Sequence, residues 1–560
     1  MSDRSGEADA RSAPAGGPDP LAMPALAPGR SWDAMRRDFR WPNPPRLNIA
    51  EAICDRWARA EPERLALRHL GPRGAEEWSY GRLAAASRRL ANVLSAAGVA
   101  RGDRVAVLLP QSPAALLAHL AAYRLGAVAV PLFTLFGAEA LAFRLADSGA
   151  KALVTDAANR PKLDGLDLPG LTRVLTVGGA GAEDFEPALA RASDLHEMVA
   201  TGPEDPAFIS YTSGTTGPPK GALHAHRVLI GHLPGVRLAH EFLPQPSDVM
   251  WTPADWAWMG GLCNVMMPAL CLGVPLVSHR FEKFDPEAAF ALMAREGASC
   301  VFAPPTALRL MRQVERPLRF WEGAPRRLRT LACGGEALGA ELLDWGREEL
   351  GLTINEFYGQ TECNKMIANA ACAMAVKPGA MGRAAPGFEV GVIDGEGRAL
   401  PPGESGEIAV KRGAAPMFLG YWNRPDKTAE KFAGDWMRTG DEGRMDAEGY
   451  FFFAARSDDV ITSSGYRIGP SEIEDCLCRH PAVAMAAVVG EPDPVRTEAV
   501  VAHVVARPGF ARDDALAAAL TDHVRTRISA HVAPRRVVFV ETLPMTATGK
   551  IMRRELRGTG

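Results

Sequence analysis

The stretch Arg104-Val105-Ala106-Val107-Leu108-Leu109-Pro110 begins the passage that decides the fold. It is a short apolar run closed by proline, the pattern of a buried strand. A helix is expected from Ser112 to Leu125 and a strand from Ala127 to Phe133; helix Ala138–Ser148 and strand Lys151–Asp156 repeat the unit. Strands alternating with helices of this length predict a parallel, doubly wound α/β sheet. Just upstream, Leu83, Ala86, Leu90, Val93 and Leu94 recur at helical spacing.

Further along, Asp248–Trp251, helix Pro286–Glu296, Ser299–Ala303 and Arg329–Cys333 form a second α/β set. After Pro378 the texture changes to short apolar runs between Gly, Pro and Asp, such as Glu389–Ile393 and Gly406–Lys411, which suits a β-rich subdomain. The expected organisation is a disordered tail over residues 1–30, a large domain over 31–456 with its β-rich part at about 378–456, and a small mobile α+β domain over 457–560.

At 560 residues the chain is too long for one ordinary core. Its 47% hydrophobic and 23% charged residues are those of a globular protein, and a net charge of −3 gives no footing for nucleic acid. The most apolar stretch, Gly260–Val277, is interrupted by Asn264, Pro268, Gly273 and Pro275, so a buried helix and strand is expected there and no membrane span. Nine dispersed cysteines, with Cys476 and Cys478 the one close pair, point to reduced thiols in a cytoplasm. Residues 1–30 carry Asp3, Glu7, Asp9 and Asp19 and no apolar core, which argues against a targeting peptide.

The chemistry centres on Tyr211-Thr212-Ser213-Gly214-Thr215-Thr216-Gly217-Pro218-Pro219-Lys220-Gly221, which follows the buried run Ala207–Ser210. Its three glycines let backbone N–H groups turn inward, while four aliphatic hydroxyls and a lysine add donors, a composition suited to a polyphosphate. Pro219 and Gly221 flank the lysine, so the loop is not a Walker A loop and a P-loop ATPase is excluded. No Gly-x-Ser-x-Gly elbow is present, and His224 and His226 lack a third ligand at metal spacing.

This loop resembles the phosphate signature of the adenylate-forming superfamily, and further motifs follow in that family's order. Phe357-Tyr358-Gly359-Gln360-Thr361-Glu362 resembles its second signature, Gly334-Gly335-Glu336 its adenine-side loop, and Thr439-Gly440-Asp441 its ribose segment. Arg456-Ser457-Asp458-Asp459 resembles the hinge, Ser463–Gly469 the strip lining the pantetheine tunnel, and Thr546–Arg554 the C-terminal lysine loop. The resemblance runs from about Trp32 to the C-terminus. It implies an ATP-dependent acyl-CoA synthetase that forms an acyl-adenylate, releases pyrophosphate and passes the acyl group to CoA.

The roles it implies are specific. Thr212, Ser213, Gly214, Thr215, Thr216, Gly217 and Lys220 would cradle the phosphates. Gly335, Glu336, Glu356, Phe357, Tyr358, Gly359, Gln360 and Thr361 would line the nucleotide, with Tyr358 stacked on adenine. Asp441 would accept from the ribose hydroxyls, with Arg456 nearby. Glu362 and Thr212 would hold Mg²⁺. Lys550, with Glu362 and Thr361, would be catalytic, bridging the acid and the α-phosphate where negative charge develops. Asp458 would be the pivot, and Ser464, Gly465, Tyr466 and Arg467 would meet CoA. The Lys550 segment also resembles one that lysine acetyltransferases modify.

Ala254-Asp255-Trp256-Ala257-Trp258 and the Tyr-Gly-Gln-Thr-Glu form at 358–362 resemble the acetyl-CoA and medium-chain synthetase branch. Acetate-specific relatives carry tryptophan where this chain has Gly359, and valine where it has Gly334. With Met259 and Gly260 as the remaining wall, an open acyl pocket is expected for a short- to medium-chain or branched acid. Other readings are an acetyl, propionyl or aryl acid, a separate carrier protein as acceptor, or a non-catalytic nucleotide binder. Cys363-Asn364 departs from the family's usual Thr-Gly.

Overall fold

The computed structural model describes residues 21–72, 74–179, 181, 184–212, 218–456, 459–463, 466–493, 497–529, 532–546 and 551–557. Among these, the strands gather in three sheets, of 7, 14 and 5 strands. The chain is α/β, with two large mixed sheets and a C-terminal domain.

The seven-stranded sheet grows from the alternation at Arg104–Asp156. Arg104–Leu108 pairs in parallel with Val128–Pro131 on one side and Ala150–Asp156 on the other. Helix Pro113–Arg124 is buried at every residue, starts under the Ser112 hydroxyl, which accepts from Ala115 N at 3.2 Å, and has proline in its first turn. Its last residue, Arg124, is inside the protein and survives there by a forked contact to Asp55 and a 2.9 Å bond to Ser87. Pro206–Thr212 extends the sheet through Val128–Pro131, and Lys220–Ala225 adds to it antiparallel. The last strand is Gly420–Tyr421, delivered from far along the chain.

In the second sheet Ile354–Tyr358, Thr330–Gly334, Cys300–Phe302, Met250–Trp251 and Leu276–His279 run parallel in that order. The β-rich part beyond Pro378 is not a sheet of its own. Ile367–Ala368 pairs antiparallel with Ile354–Tyr358, Gly382–Ala384 pairs with Ile367–Ala368, and Tyr450–Arg456 pairs with Gly382–Ala384. The join depends on Gly382. It sits at φ +110°, and a Cβ there would lie 2.3 Å from the Ala368 carbonyl.

Packed structure starts earlier than composition indicates: Leu21, Met23, Ala25 and Leu26 are buried in the main core. Met259–Cys271 is helical and buried throughout save Gly260, followed by strand Leu276–His279. Among the described residues no helix is long and apolar enough to cross a membrane. The C-terminal sheet pairs Thr497–Ala506 with Val483–Asp493, Ile461–Ser463 and Arg536–Phe539. Helix Pro470–Cys478 carries Cys476 and Cys478, both free, as are the other seven cysteines.

Candidate active site

Strands Pro206–Thr212 and Lys220–Ala225 are the two stems of one hairpin, with Thr212 opposite Lys220. The Thr212 hydroxyl donates to the Lys220 carbonyl at 3.3 Å. Ser213, Gly214, Thr215, Thr216 and Gly217 lie outside the described residues. Lys220 Nζ stands 4.8 Å from the centroid of the Tyr421 ring. That contact exists because Tyr421 pairs with Ala222 on the hairpin's outer edge.

Tyr421 also donates its hydroxyl to Glu362 Oε1, and the Glu362 carbonyl accepts from Phe418 N at 2.8 Å. Glu362 is buried, as is Tyr421. Burial and the adjoining carboxylate push the Tyr421 phenol far above its ordinary range, so it remains a donor. Glu362 stands on the bend joining Ile354–Tyr358 to Ile367–Ala368, where Gln360 N closes onto the Cys363 carbonyl at 3.0 Å. The Cys363-Asn364 departure is accommodated in this bend: the Cys363 side chain is buried, and Asn364 Oδ1 accepts from Lys365 N at 2.8 Å.

A second network surrounds Asp441. Its Oδ2 accepts from the Tyr358 hydroxyl and from Gln360 Nε2 at 3.3 Å. Arg456 Nε lies 3.7 Å from Oδ1, since Asp441 and Arg456 are cross-strand partners. Gln360 Nε2 also reaches the Thr439 carbonyl at 2.9 Å. Lys431 Nζ donates to Gln360 Oε1 at 2.9 Å and to the Thr439 carbonyl at 3.3 Å. Burial lowers the Lys431 amine, while the charges of Glu362 and Asp441 oppose that shift.

Just after strand Thr330–Gly334, Gly335 takes φ +104° and leaves open space where a side chain would stand. Glu336 pairs with Arg309 at 3.1 Å. The Glu356 carboxyl accepts from Leu338 N at 3.0 Å, which fixes the loop, and burial pushes its pKa up to about 8.

Around the expected acyl chamber the spaces left by glycine are occupied. A Cβ on Gly334 would fall 2.6 Å from Phe357 Cε2, and one on Gly260 2.9 Å from Phe302 Cε1. The Phe302 and Phe357 rings themselves pack with centroids 5.4 Å apart. A Cβ on Gly359 would fall 2.3 Å from Lys365 N. Met259 is buried beside Cys263, sulfur to sulfur 3.9 Å.

The comparisons with known proteins agree with this geometry. Residues 54–422 match the model of the AMP-binding enzyme family, and residues 472–550 match that of the AMP-binding enzyme C-terminal domain. The chain belongs to the AMP-binding enzyme family. Human mitochondrial acyl-coenzyme A synthetase ACSM4 is 37% identical over 544 residues, 94% of this chain and 92% of that protein. Mouse mitochondrial acyl-coenzyme A synthetase ACSM3 is 34% identical, over 94% and 93%. A Brucella canis acyl-CoA synthetase of known structure is 36% identical, covers 94% of this chain and 98% of its own, and superposes with a TM-score of 0.73. An anthranilate CoA ligase in complex with anthranoyl-AMP is 28% identical, with a TM-score of 0.83 and coverage of 92% and 97%. As a member of this family the chain is an AMP-forming acid–thiol ligase, with ATP as its nucleotide.

Within the AMP-binding fold, the structure thus brings Tyr358, Gln360, Glu362, Asp441 and Arg456 together. Asp458, Ser464, Gly465 and Lys550 lie outside the described residues, as do the side chains of Tyr466 and Arg467. Met545 and Ile551 bridge across the ends of the Lys550 loop, and strand Tyr466–Ile468 pairs with Ile461–Ser463. His224 and His226 are buried, the first stacked on Phe208 and the second accepting from Ile49 N at 3.1 Å. Among the described residues no group of three or more His, Cys, Asp or Glu side chains is placed to hold a metal. Tyr421 and Lys431 were not singled out by the sequence reading. Neither has a spacing that marks it, and only the pairing of distant strands carries them inward.

Proposed function

We propose that the chain activates a short- to medium-chain or branched carboxylic acid with ATP and transfers it to CoA. The observation that carries this is the network of Tyr358, Gln360, Lys431 and Asp441 set beside the stems of the hydroxyl-rich hairpin. A carboxylate resists thiol attack because oxide would have to leave; adenylation supplies AMP as a far better leaving group. Asp441 would accept from the ribose diol, and Lys220 and Lys431 would bring positive charge to the phosphate oxygens.

Glu362 fits a Mg²⁺ ligand. A single buried carboxylate braced by Tyr421 suits a cation that completes its shell with phosphate and water oxygens. Mg²⁺ supplies charge neutralisation at the phosphates. Thr212, whose hydroxyl is directed at the Lys220 carbonyl, would have to turn to join it. Lys550 would serve adenylation, and rotation at Asp458 would then present Gly465 for thiolysis. Acetylation of Lys550 rests on its loop sequence, and nothing in the fold adds to it. A reduced, cytoplasmic setting fits nine free cysteines.

An aryl acid is the second reading, favoured by the Phe302–Phe357 pair at the chamber and by the solved anthranilate CoA ligase. The test is a panel of acetate, propionate, hexanoate, 3-methylbutanoate and benzoate with ATP and either CoA or a carrier protein, scored for AMP release. Release of ADP, or AMP release that ignores the acid, would overturn the proposal. Turnover with the carrier alone would replace CoA as acceptor.

A further inference from the structure

Lys365 is fully buried, and its Nζ has no hydrogen-bond partner among the described residues. Among the described residues its Nζ lies over the face of Phe357, 4.0 Å from the ring centroid. The backbone at Lys365 takes φ +57°, a left-handed conformation that lysine rarely adopts. The neighbouring helix Val228–Ala239 makes room for it with glycine: a Cβ on Gly235 would stand 2.9 Å from Lys365 Cδ. The titratable groups that feel its charge from that side are His232 and His240, both buried, each with an unpartnered Nε2. No acid is among them. Burial alone holds the amine well below the usual lysine range.

Its position ties it to the acyl chamber. The Lys365 N–H backs directly onto Gly359, and its amine covers the Phe357 ring. That ring fills the space above Gly334 and packs on Phe302, which in turn fills the space above Gly260. Lys365 therefore contacts the residues that close the chamber. A buried, strained and unpaired amine in such a place lacks a partner that a ligand can supply.

We propose that Lys365 is a specificity-determining residue that selects acids whose tail ends in a hydrogen-bond-accepting oxygen, either a ketone or a second carboxylate. This rests on the acyl-chamber reading above and sharpens it. The amine can donate an N–H to a ketone in either protonation state, whereas a second carboxylate favours its protonated form. His232 spends its N–H on the Val228 carbonyl at 2.7 Å, so its Nε2 accepts when neutral; His240 supplies an Nε2–H donor when its Nδ1 accepts from the Thr330 hydroxyl.

The test compares hexanoate, 5-oxohexanoate and adipate on the wild-type chain and on Lys365→Met and Lys365→Gln, by AMP release and by calorimetric titration of each acid with ATP present. The wild type is expected to favour one oxygenated acid over hexanoate by about 10- to 100-fold in kcat/KM. Lys365→Met is expected to lose that preference and gain on hexanoate. Lys365→Gln, which keeps a donor, is expected to retain part of it for the ketone. Preference for 5-oxohexanoate alone identifies a neutral acceptor; preference for adipate with proton uptake identifies the carboxylate. Hexanoate preferred by the wild type, or a ratio that Met leaves in place, overturns the proposal. Should no acid release AMP, the ligase reading fails, and Lys365 is then decided by whether calorimetry shows Lys365-dependent binding of the oxygenated acids.

Discussion

Tyr421→Phe isolates one interaction in the proposed nucleotide site. The ring of Tyr421 packs edge-on against Phe418, centroids 5.0 Å apart, and lies under Lys220 at 4.8 Å. Phenylalanine keeps both contacts and removes only the hydroxyl donated to Glu362. A hydrogen bond to a buried charged group contributes about 1.5–3 kcal/mol, or roughly 10- to 150-fold in an equilibrium. Loss of a partner that orients a metal ligand costs about 10- to 100-fold in metal affinity or activity. The two ranges overlap, so the Mg²⁺ concentration that half-saturates ATP–pyrophosphate exchange is expected to rise by about 10-fold or more. The KM for the acid should move less than about twofold, since Tyr421 contacts neither Phe302 nor Phe357 among its described bonds. Exchange is measured against free Mg²⁺ at saturating acid, beside a thermal melt. A variant that melts lower but superimposes on the wild-type Mg²⁺ curve would reduce Tyr421 to a structural residue and remove the argument for Glu362 as ligand.

Three further outcomes are expected. Lys550→Ala should abolish ATP–pyrophosphate exchange yet still convert supplied acyl-adenylate to thioester; equal loss of both half-reactions would end the division of labour. Gly465→Leu should do the reverse, and unimpaired thioester formation by it would remove the tunnel role. Glu356, held protonated up to about pH 8 when folded, ionises near pH 4.5 once unfolded, so it lowers stability progressively as pH rises through that window. The effect is at most roughly 5 kcal/mol, and Glu356→Gln should flatten the melting temperature across it; parallel slopes for the two proteins would show that another group titrates.

Elements with local punctuation were legible in the sequence. Helix Ala138–Ser148 ends at Gly149, φ +60°, and helix Pro286–Glu296 runs between the Asp285 cap and Gly297, φ +66°, so their ends coincide with the expected ones. Strand ends drifted: Ser299–Ala303 contracts to Cys300–Phe302, because what ends a strand is where its neighbours stop. The fusion of the β-rich part with the second sheet was not legible, since it rests on pairings such as Gly382 with Phe451 that no local pattern encodes. The motif residues Tyr358, Gln360, Glu362 and Asp441 were legible as types. Lys431 follows a polar helix and resembles a solvated cation, and Lys365 looks like the tip of a turn; each becomes informative only when the fold half-buries the first and fully buries the second.

Gly359 shows how a correct motif can mislead about space. Read as a sequence position, it is a missing wall where tryptophan would shorten an open acyl pocket. In the structure its side-chain direction points at backbone, with Lys365 N at 2.3 Å and Asn364 Cα at 2.7 Å. Backbone cannot swing aside as a flexible side chain does, so even one methyl group must displace the bend that carries Glu362. Overpacking of this kind costs about 1–3 kcal/mol. Gly359→Ala is therefore expected to lower both the melting temperature and the rate of exchange for every acid alike, and Gly359→Trp to do so more severely. A pocket wall would behave otherwise: alanine would be nearly silent and tryptophan would redirect the enzyme to acetate. Measuring kcat/KM for acetate and hexanoate on both variants separates the cases. A silent alanine with an acetate-selective tryptophan would refute the packing argument and restore Gly359 as the floor of the chamber.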